Sequence, residues 1–385
     1  MDIKKNIILL GATGSIGESS LRLLRKNKEK FNLIGVSAHN NAELLSKIVN
    51  EFDVPNVVLS DPKNAKSYYG KNELYVGHSS LIELAKINCD IVISGIIGMS
   101  GLYPAFAAIS GGNNLAMANK ETLVSAGKIF IEKSHEKKVR ILPVDSEHSA
   151  IFQCLEKNNT ANVDFITLTA SGGPFLNMPI ENFKNIKPKD AIRHPVWKMG
   201  KKISVDSATM FNKALEIIEA SVLFNIESDK IEVTVHPEHI IHGLVHYKDG
   251  SILANLGFPD MITPLSVALN WPERIDLNLK KLSLSNISNL NFIEPDFKKF
   301  PGLKLGWEVL ENSHFSPVVL NASNEIAVDA FLKNKVKFTD IYNIVYETLN
   351  VCNPSIPQNL DDIIEIDNIA RINALNLIKR KFIND

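Results

Sequence analysis

The chain has 385 residues, enough for two or three domains with separate cores. Its 45% hydrophobic and 22% charged content is that of an ordinary globular protein, and no apolar run approaches the roughly 20 residues of a membrane span. A formal net charge of −1 gives no global attraction to nucleic acid or an anionic membrane, so a small-molecule partner is expected.

Residues 6–10 form a short apolar run that ends in Gly11, Gly14 and Gly17, and a helical pattern follows over 15–25. Strand, glycine turn and helix in that order suit a phosphate: the glycines admit a close ligand and the helix start offers unpaired N–H groups. Residues 31–37, 56–59, 90–94 and 115–118 continue a series of apolar runs without alternation, with helix-like segments between them. Such runs indicate a parallel sheet covered on both faces, hence a doubly wound dinucleotide fold. The second strand ends Val36-Ser37-Ala38-His39-Asn40-Asn41, with no acid to repel a 2′-phosphate, which favours NADP over NAD.

Residues 140–144 read as a strand, and Asp145 and Glu147 are expected on one side of an extended backbone. A helix over 150–155 and a strand over 165–170 lead to a loop, then to a helix over 206–224 with Asp206 and Ser207 at its start. On that helix Asn212, Lys213 and Glu216 are three and four apart and share a face. Strands follow over 231–236, 241–247 and 251–256, the last two joined by a tight Asp249-Gly250 turn. A Ser-, Asn- and Pro-containing connector runs to about Pro301, and the remainder reads as mostly helical, most clearly over 329–332 and 340–349. The expected division is 1–145, a Rossmann-type domain; 146–271, an α+β catalytic domain; 272–301, a connector; and 302–385, a helical domain. Cys89, Cys154 and Cys352 are scattered and odd in number, and the first residues lack a signal-peptide core, so a cytoplasmic location is expected. His236, His239, His242 and His246 cluster within eleven residues, but structural roles are expected for them rather than a zinc site.

Six ordered motifs go together: Gly11-Ala-Thr-Gly-Ser-Ile-Gly17, Ala118-Asn-Lys-Glu121, Pro143-Val-Asp-Ser-Glu-His148, Ser171-Gly-Gly-Pro-Phe175, His194-Pro-Val-Trp197 and the stretch from Ser204 to Glu216. They resemble the 1-deoxy-D-xylulose 5-phosphate reductoisomerase family from about residue 6 into the C-terminal region. The resemblance implies NADPH- and metal-dependent rearrangement and reduction of that sugar phosphate to 2-C-methyl-D-erythritol 4-phosphate, in the non-mevalonate isoprenoid pathway. It also implies a homodimer.

The resemblance assigns one divalent cation to Asp145, Glu147 and Glu216, and a donor set of hard oxygens suits Mg²⁺ or Mn²⁺. It places Ser171, Ser207, Asn212 and Lys213 on the substrate phosphate, and Ser146 and Lys120 near its hydroxyls. His194 and Trp197 belong to a basic loop that the family uses as a lid. Cofactor contacts are expected from Gly11, Thr13, Gly14, Ser15, Ile16, Gly17, Ser37, His39, Asn40, Asn41, Asn119, Glu121 and Gly200. The family commonly has Gly-Lys-Asn where this chain has His39-Asn40-Asn41, so the lysine cation is missing here. Two other readings fit the glycine turn: a homoserine-dehydrogenase-like two-domain oxidoreductase, and a nucleotide-sensing module without catalysis. The carboxylates, with Lys213 and Asn212, argue against both.

Overall fold

The computed structural model describes residues 4–155, 160–194, 199–287, 289–312 and 316–381. The chain forms two compact units. The first contains Met1–Thr122, Lys128–Ser149 and Asp260–Lys280; the second contains Leu123–Gly127, Ala150–Pro259 and Lys281–Asp385.

The first unit is built on seven strands: β1 Lys5–Leu10, β2 Phe31–Ala38, β3 Asn56–Leu59, β4 Leu74–Val76, β5 Ile91–Ser94, β6 Asn114–Met117 and β7 Ile141–Pro143. Their order is β4-β3-β2-β1-β5-β6-β7, and every pairing is parallel. Ile7, Ile8, Leu9 and Leu10 are wholly buried, as a sheet covered on both faces requires. The order reverses between β1 and β5, the switch point at which such sheets bind ligands. The helix Ile262–Asn270 belongs to this unit, joined to its first elements by the Arg22–Asp260 ion pair at 2.9 Å and by Lys5 Nζ donating to the Leu269 carbonyl at 2.9 Å.

The second unit holds a four-stranded sheet of β8 Val163–Ala170, β9 Ile231–Val235, β10 Ile241–Tyr247 and β11 Ile252–Leu256, in the order β11-β10-β8-β9. The β8–β9 pair is parallel and the other pairs are antiparallel. The C-terminal part is helical over Pro317–Leu332, Asp340–Val351 and Leu360–Lys381. Arg371 ties two of these helices, pairing with Asp367 and Glu325 at 2.6 Å each. No described helix is long and apolar enough to cross a membrane.

Two local expectations are corrected. The helix expected over 206–224 is two helices, Lys201–Thr209 and Phe211–Phe224, with Met210 between them at φ 61°. Ser207 therefore lies near the end of the first helix, not at a helix start. Thr209 Oγ1 donates to the Val205 and Asp206 carbonyls, satisfying acceptors at the end of the turn. A left-handed methionine costs about 1–2 kcal/mol, and here its side chain is buried. The second correction concerns Asp145 and Glu147, which do not share an extended backbone. A helix runs over Ser146–Cys154, with Glu147 in its first turn, where a carboxylate meets the positive end of the helix dipole.

Candidate active site

At the switch point Gly11 adopts φ +82°, and a Cβ there would lie 2.8 Å from the Gly95 carbonyl oxygen, so the β1 and β5 loops meet at a position only glycine fits. The following helix, Ser15–Lys26, starts at Gly14 with no side-chain cap, which leaves its first N–H groups open to an anion. Gly11, Thr13, Gly14, Ser15, Ile16 and Gly17 all lie on this turn or in the first turn of that helix. A Cβ at Gly17 would lie 2.4 Å from the Ala12 carbonyl group, so this glycine serves close packing.

Several residues assigned to the cofactor also hold the scaffold. Ser37 is buried, and its hydroxyl accepts the Gly11 N–H at 3.1 Å. Asn41 caps the helix Ala42–Phe52 by accepting the Leu44 N–H at 3.0 Å. Asn119 is buried, caps the helix Lys120–Lys137 through the Thr122 N–H, and donates to the Gly98 carbonyl at 2.8 Å. Glu121, in the first turn of that helix, is buried as well. His39, Asn40 and Asn41 are exposed. His39 Nδ1 lies 3.0 Å from Ser60 Oγ, and the Asn40 carbonyl accepts from Asn64 Nδ2 at 3.0 Å.

The same unit carries Lys120, Asp145, Ser146 and Glu147. Lys120 Nζ is 2.5 Å from Asp145 Oδ2, and both side chains are largely buried. Burial pushes the Asp145 carboxyl up, but the Lys120 charge and the His148 ring outweigh it and hold the group well below the usual carboxylate range. Ser146 Oγ donates to Glu147 Oε2 at 2.5 Å. His148, absent from the expected site, is wholly buried with Nδ1 at 3.6 Å from Asp145 Oδ2. The signal for it was the three-residue spacing from Asp145, informative only once a helix is known to begin there.

In the second unit Ser171 follows β8 and opens a turn through Gly172 at φ +77° and Gly173 at φ +65°. Its hydroxyl accepts the Gly173 N–H at 3.0 Å and lies 3.2 Å from His194 Nε2 and 3.5 Å from Ser207 Oγ. Three assigned substrate contacts therefore converge. On the helix Phe211–Phe224, Asn212 and Lys213 both hydrogen-bond the carboxylate of Glu216, as the spacing implied. Lys213 is 4% exposed and Glu216 wholly buried. Gly200 is the residue before the helix Lys201–Thr209, and a Cβ there would meet nothing within 4 Å. Trp197 lies outside the described residues. The four clustered histidines go to different partners: His236 to the Asn291 carbonyl, His242 to the Gly257 carbonyl, His246 to Thr167, and His239 in ring contact with His194.

The profile of the 1-deoxy-D-xylulose 5-phosphate reductoisomerase family matches residues 7–127, and profiles of its C-terminal domain match 141–224 and 256–373. The chain belongs to this family. The reductoisomerase of Prosthecochloris aestuarii is 45% identical over 379 residues, covering 97% of this chain and 99% of its own. That of Geobacter metallireducens is 43% identical, with 97% and 99% covered. The Zymomonas mobilis reductoisomerase, solved in complex with NADPH, is 41% identical with a TM-score of 0.92, covering 98% of this chain and 100% of that one. A DOX-P reductoisomerase in complex with NADPH, fosmidomycin and magnesium is 37% identical with a TM-score of 0.91, covering 97% and 98%. Family membership across the whole length answers the two other readings of the glycine turn.

Proposed function

We propose that this protein converts 1-deoxy-D-xylulose 5-phosphate to 2-C-methyl-D-erythritol 4-phosphate with NADPH and one divalent cation, in the non-mevalonate route to isoprenoids. The observation that carries this is the buried lysine–carboxylate pairing on each family motif, Lys120 with Asp145 and Lys213 with Glu216. Neither pair stabilises a fold efficiently, since desolvating two charges offsets most of their attraction. Their retention fits a site that handles anionic oxygens.

Asp145, Glu147 and Glu216 are the proposed ligands of one Mg²⁺ or Mn²⁺, and their donors are hard oxygens suited to either ion. When bound, the cation supplies charge stabilisation for an oxyanion and NADPH supplies the hydride. Lys120 keeps Asp145 ionised and, with Ser146, is placed to hold the substrate hydroxyls. Ser171, His194 and Ser207 present two hydroxyls and an imidazole to one point, while Asn212 and Lys213 add an amide and an ammonium, a donor set that suits a phosphate. Trp197 is assigned to the substrate side on the motif alone. Purified protein should oxidise NADPH only when both the sugar phosphate and Mg²⁺ or Mn²⁺ are supplied; turnover without metal, or none with it, rejects the assignment.

A homodimer is supported by the edge strand β11, whose Ile252, Leu253 and Leu256 are 53%, 41% and 39% exposed. Apolar, unpaired strand edges invite a second chain. That Cys89, Cys154 and Cys352 are not disulfide-bonded supports a cytoplasmic location.

A further inference from the structure

The lysine that the family places beside the cofactor's adenosine end is missing from the His39-Asn40-Asn41 segment. The loop after β3 brings another one to the same edge. Three hydrogen bonds bind residues 60–64 alongside His39 and Asn40: Ser60 Oγ to His39 Nδ1 at 3.0 Å, the Asp61 N–H to the His39 carbonyl at 2.8 Å, and Asn64 Nδ2 to the Asn40 carbonyl at 3.0 Å. Lys63 lies inside this stretch and is exposed. It forms no ion pair among the described residues. The neighbouring acid, Asp61, caps the short turn that follows, its carboxylate accepting the Lys63 main-chain N–H at 3.1 Å. Both loops follow the carboxyl ends of adjacent parallel strands, β2 and β3, on the side where a doubly wound sheet binds its ligand.

We infer that Lys63, seated by the Ser60 and Asn64 ties, supplies the cation that recognises the 2′-phosphate of NADPH and so sets cofactor choice. The inference rests on NADPH being the reductant. It moves the source of attraction from the end of β2, where only neutral donors and His39 stand, to the end of β3. A lysine recognises phosphate as a point charge and needs no bidentate geometry, so a flexible exposed side chain suffices. His39 stands beside this stretch, its Nδ1 within hydrogen-bond distance of Ser60 Oγ.

The test is equilibrium binding, read from the change in reduced-nicotinamide fluorescence, of NADPH and of NADH to the full-length native protein and to Lys63→Gln, Lys63→Arg and Ser60→Ala. Loss of one charge-assisted hydrogen bond should weaken NADPH by about tenfold in Lys63→Gln and leave NADH unchanged. Lys63→Arg should keep the preference, and Ser60→Ala should lose part of it. An unchanged NADPH affinity in Lys63→Gln, or equal weakening of both cofactors, overturns the inference while leaving NADPH as the reductant. A native protein that binds neither cofactor, or both equally, overturns the two together.

Discussion

Lys213→Met is the most informative single perturbation of the site. It removes the ammonium and keeps most of the apolar stem, so the change is in charge more than in packing. Glu216 then remains wholly buried with Asn212 as a neutral partner. Breaking a buried pair from one side costs about 3–5 kcal/mol, because the other charge stays desolvated without its counter-ion. For a unit of about 150–250 residues each kcal/mol moves the melting temperature by roughly 2–4 °C, so a drop of about 6–20 °C is expected.

The double variant Lys213→Met/Glu216→Gln should recover at least half of that loss, because the buried charge is gone and the oxygen of the new amide still accepts from Asn212. Mg²⁺ adds an independent arm. At 100 times its Kd a bound ion adds about 2.7 kcal/mol to any variant that keeps the ligands, and Glu216→Gln should forfeit that gain. The assay is thermal and urea unfolding of the four proteins, with and without MgCl₂. If Lys213→Met is as stable as the native protein, or the double variant is no more stable than the single one, the buried pair is not the energetic unit argued for.

Asp145→Asn and Glu147→Gln should each weaken Mg²⁺ binding and cut turnover while NADPH affinity is retained, which calorimetry on the two ligands separates. Gly173→Ala should destabilise by about 1–3 kcal/mol and raise KM for the sugar phosphate, because its φ is +65° and the new Cβ would lie 2.7 Å from the Ser207 carbonyl oxygen; an unaltered KM would count against Ser207 as a substrate contact. Burial lowers the pKa of His246, stacked on Phe165 at 3.9 Å, below that of an unfolded histidine. The unfolded chain then binds the proton more readily, so the His246 contribution is present above about pH 6.5 and lost as pH falls through that value. Urea midpoints between about pH 7.5 and 5.5 should flatten in His246→Gln, and an unchanged slope would remove the residue from the account.

The parallel sheet was legible because burial on both faces leaves no room for alternation, and β1 shows this along its whole run into the glycine turn. The Asn212, Lys213 and Glu216 face was legible for a similar reason, since three- and four-residue spacing within one helix fixes proximity. The break at Met210 was not. Met210 and Phe211 both keep the apolar periodicity, and hydrophobic spacing carries no information about a single left-handed residue. Asp145 to Glu147 failed for a related reason: a polar tripeptide after a short strand satisfies a strand end and a helix start equally well, and which one wins depends on where Ser146 and Glu147 find partners.

Cofactor motifs are limited in a different way, because a motif does not say which way its side chains face. Ser37 and Asn119 sit in the right segments and turn their polar groups inward, onto Gly11 and onto Thr122 and Gly98. Asp206 shows the same limit over a longer reach. Its carboxylate is buried between Lys202 at 2.7 Å and Asn324 Nδ2 at 2.8 Å. The lysine is four residues away on the same helix and could be anticipated; the asparagine is 118 positions away and could not. A buried carboxylate needs both partners, since leaving either oxygen unsatisfied costs more than the bond itself contributes. The helix that carries Ser207 is thus held in place partly by the helix Pro317–Leu332, through a contact that no local pattern in the sequence encodes.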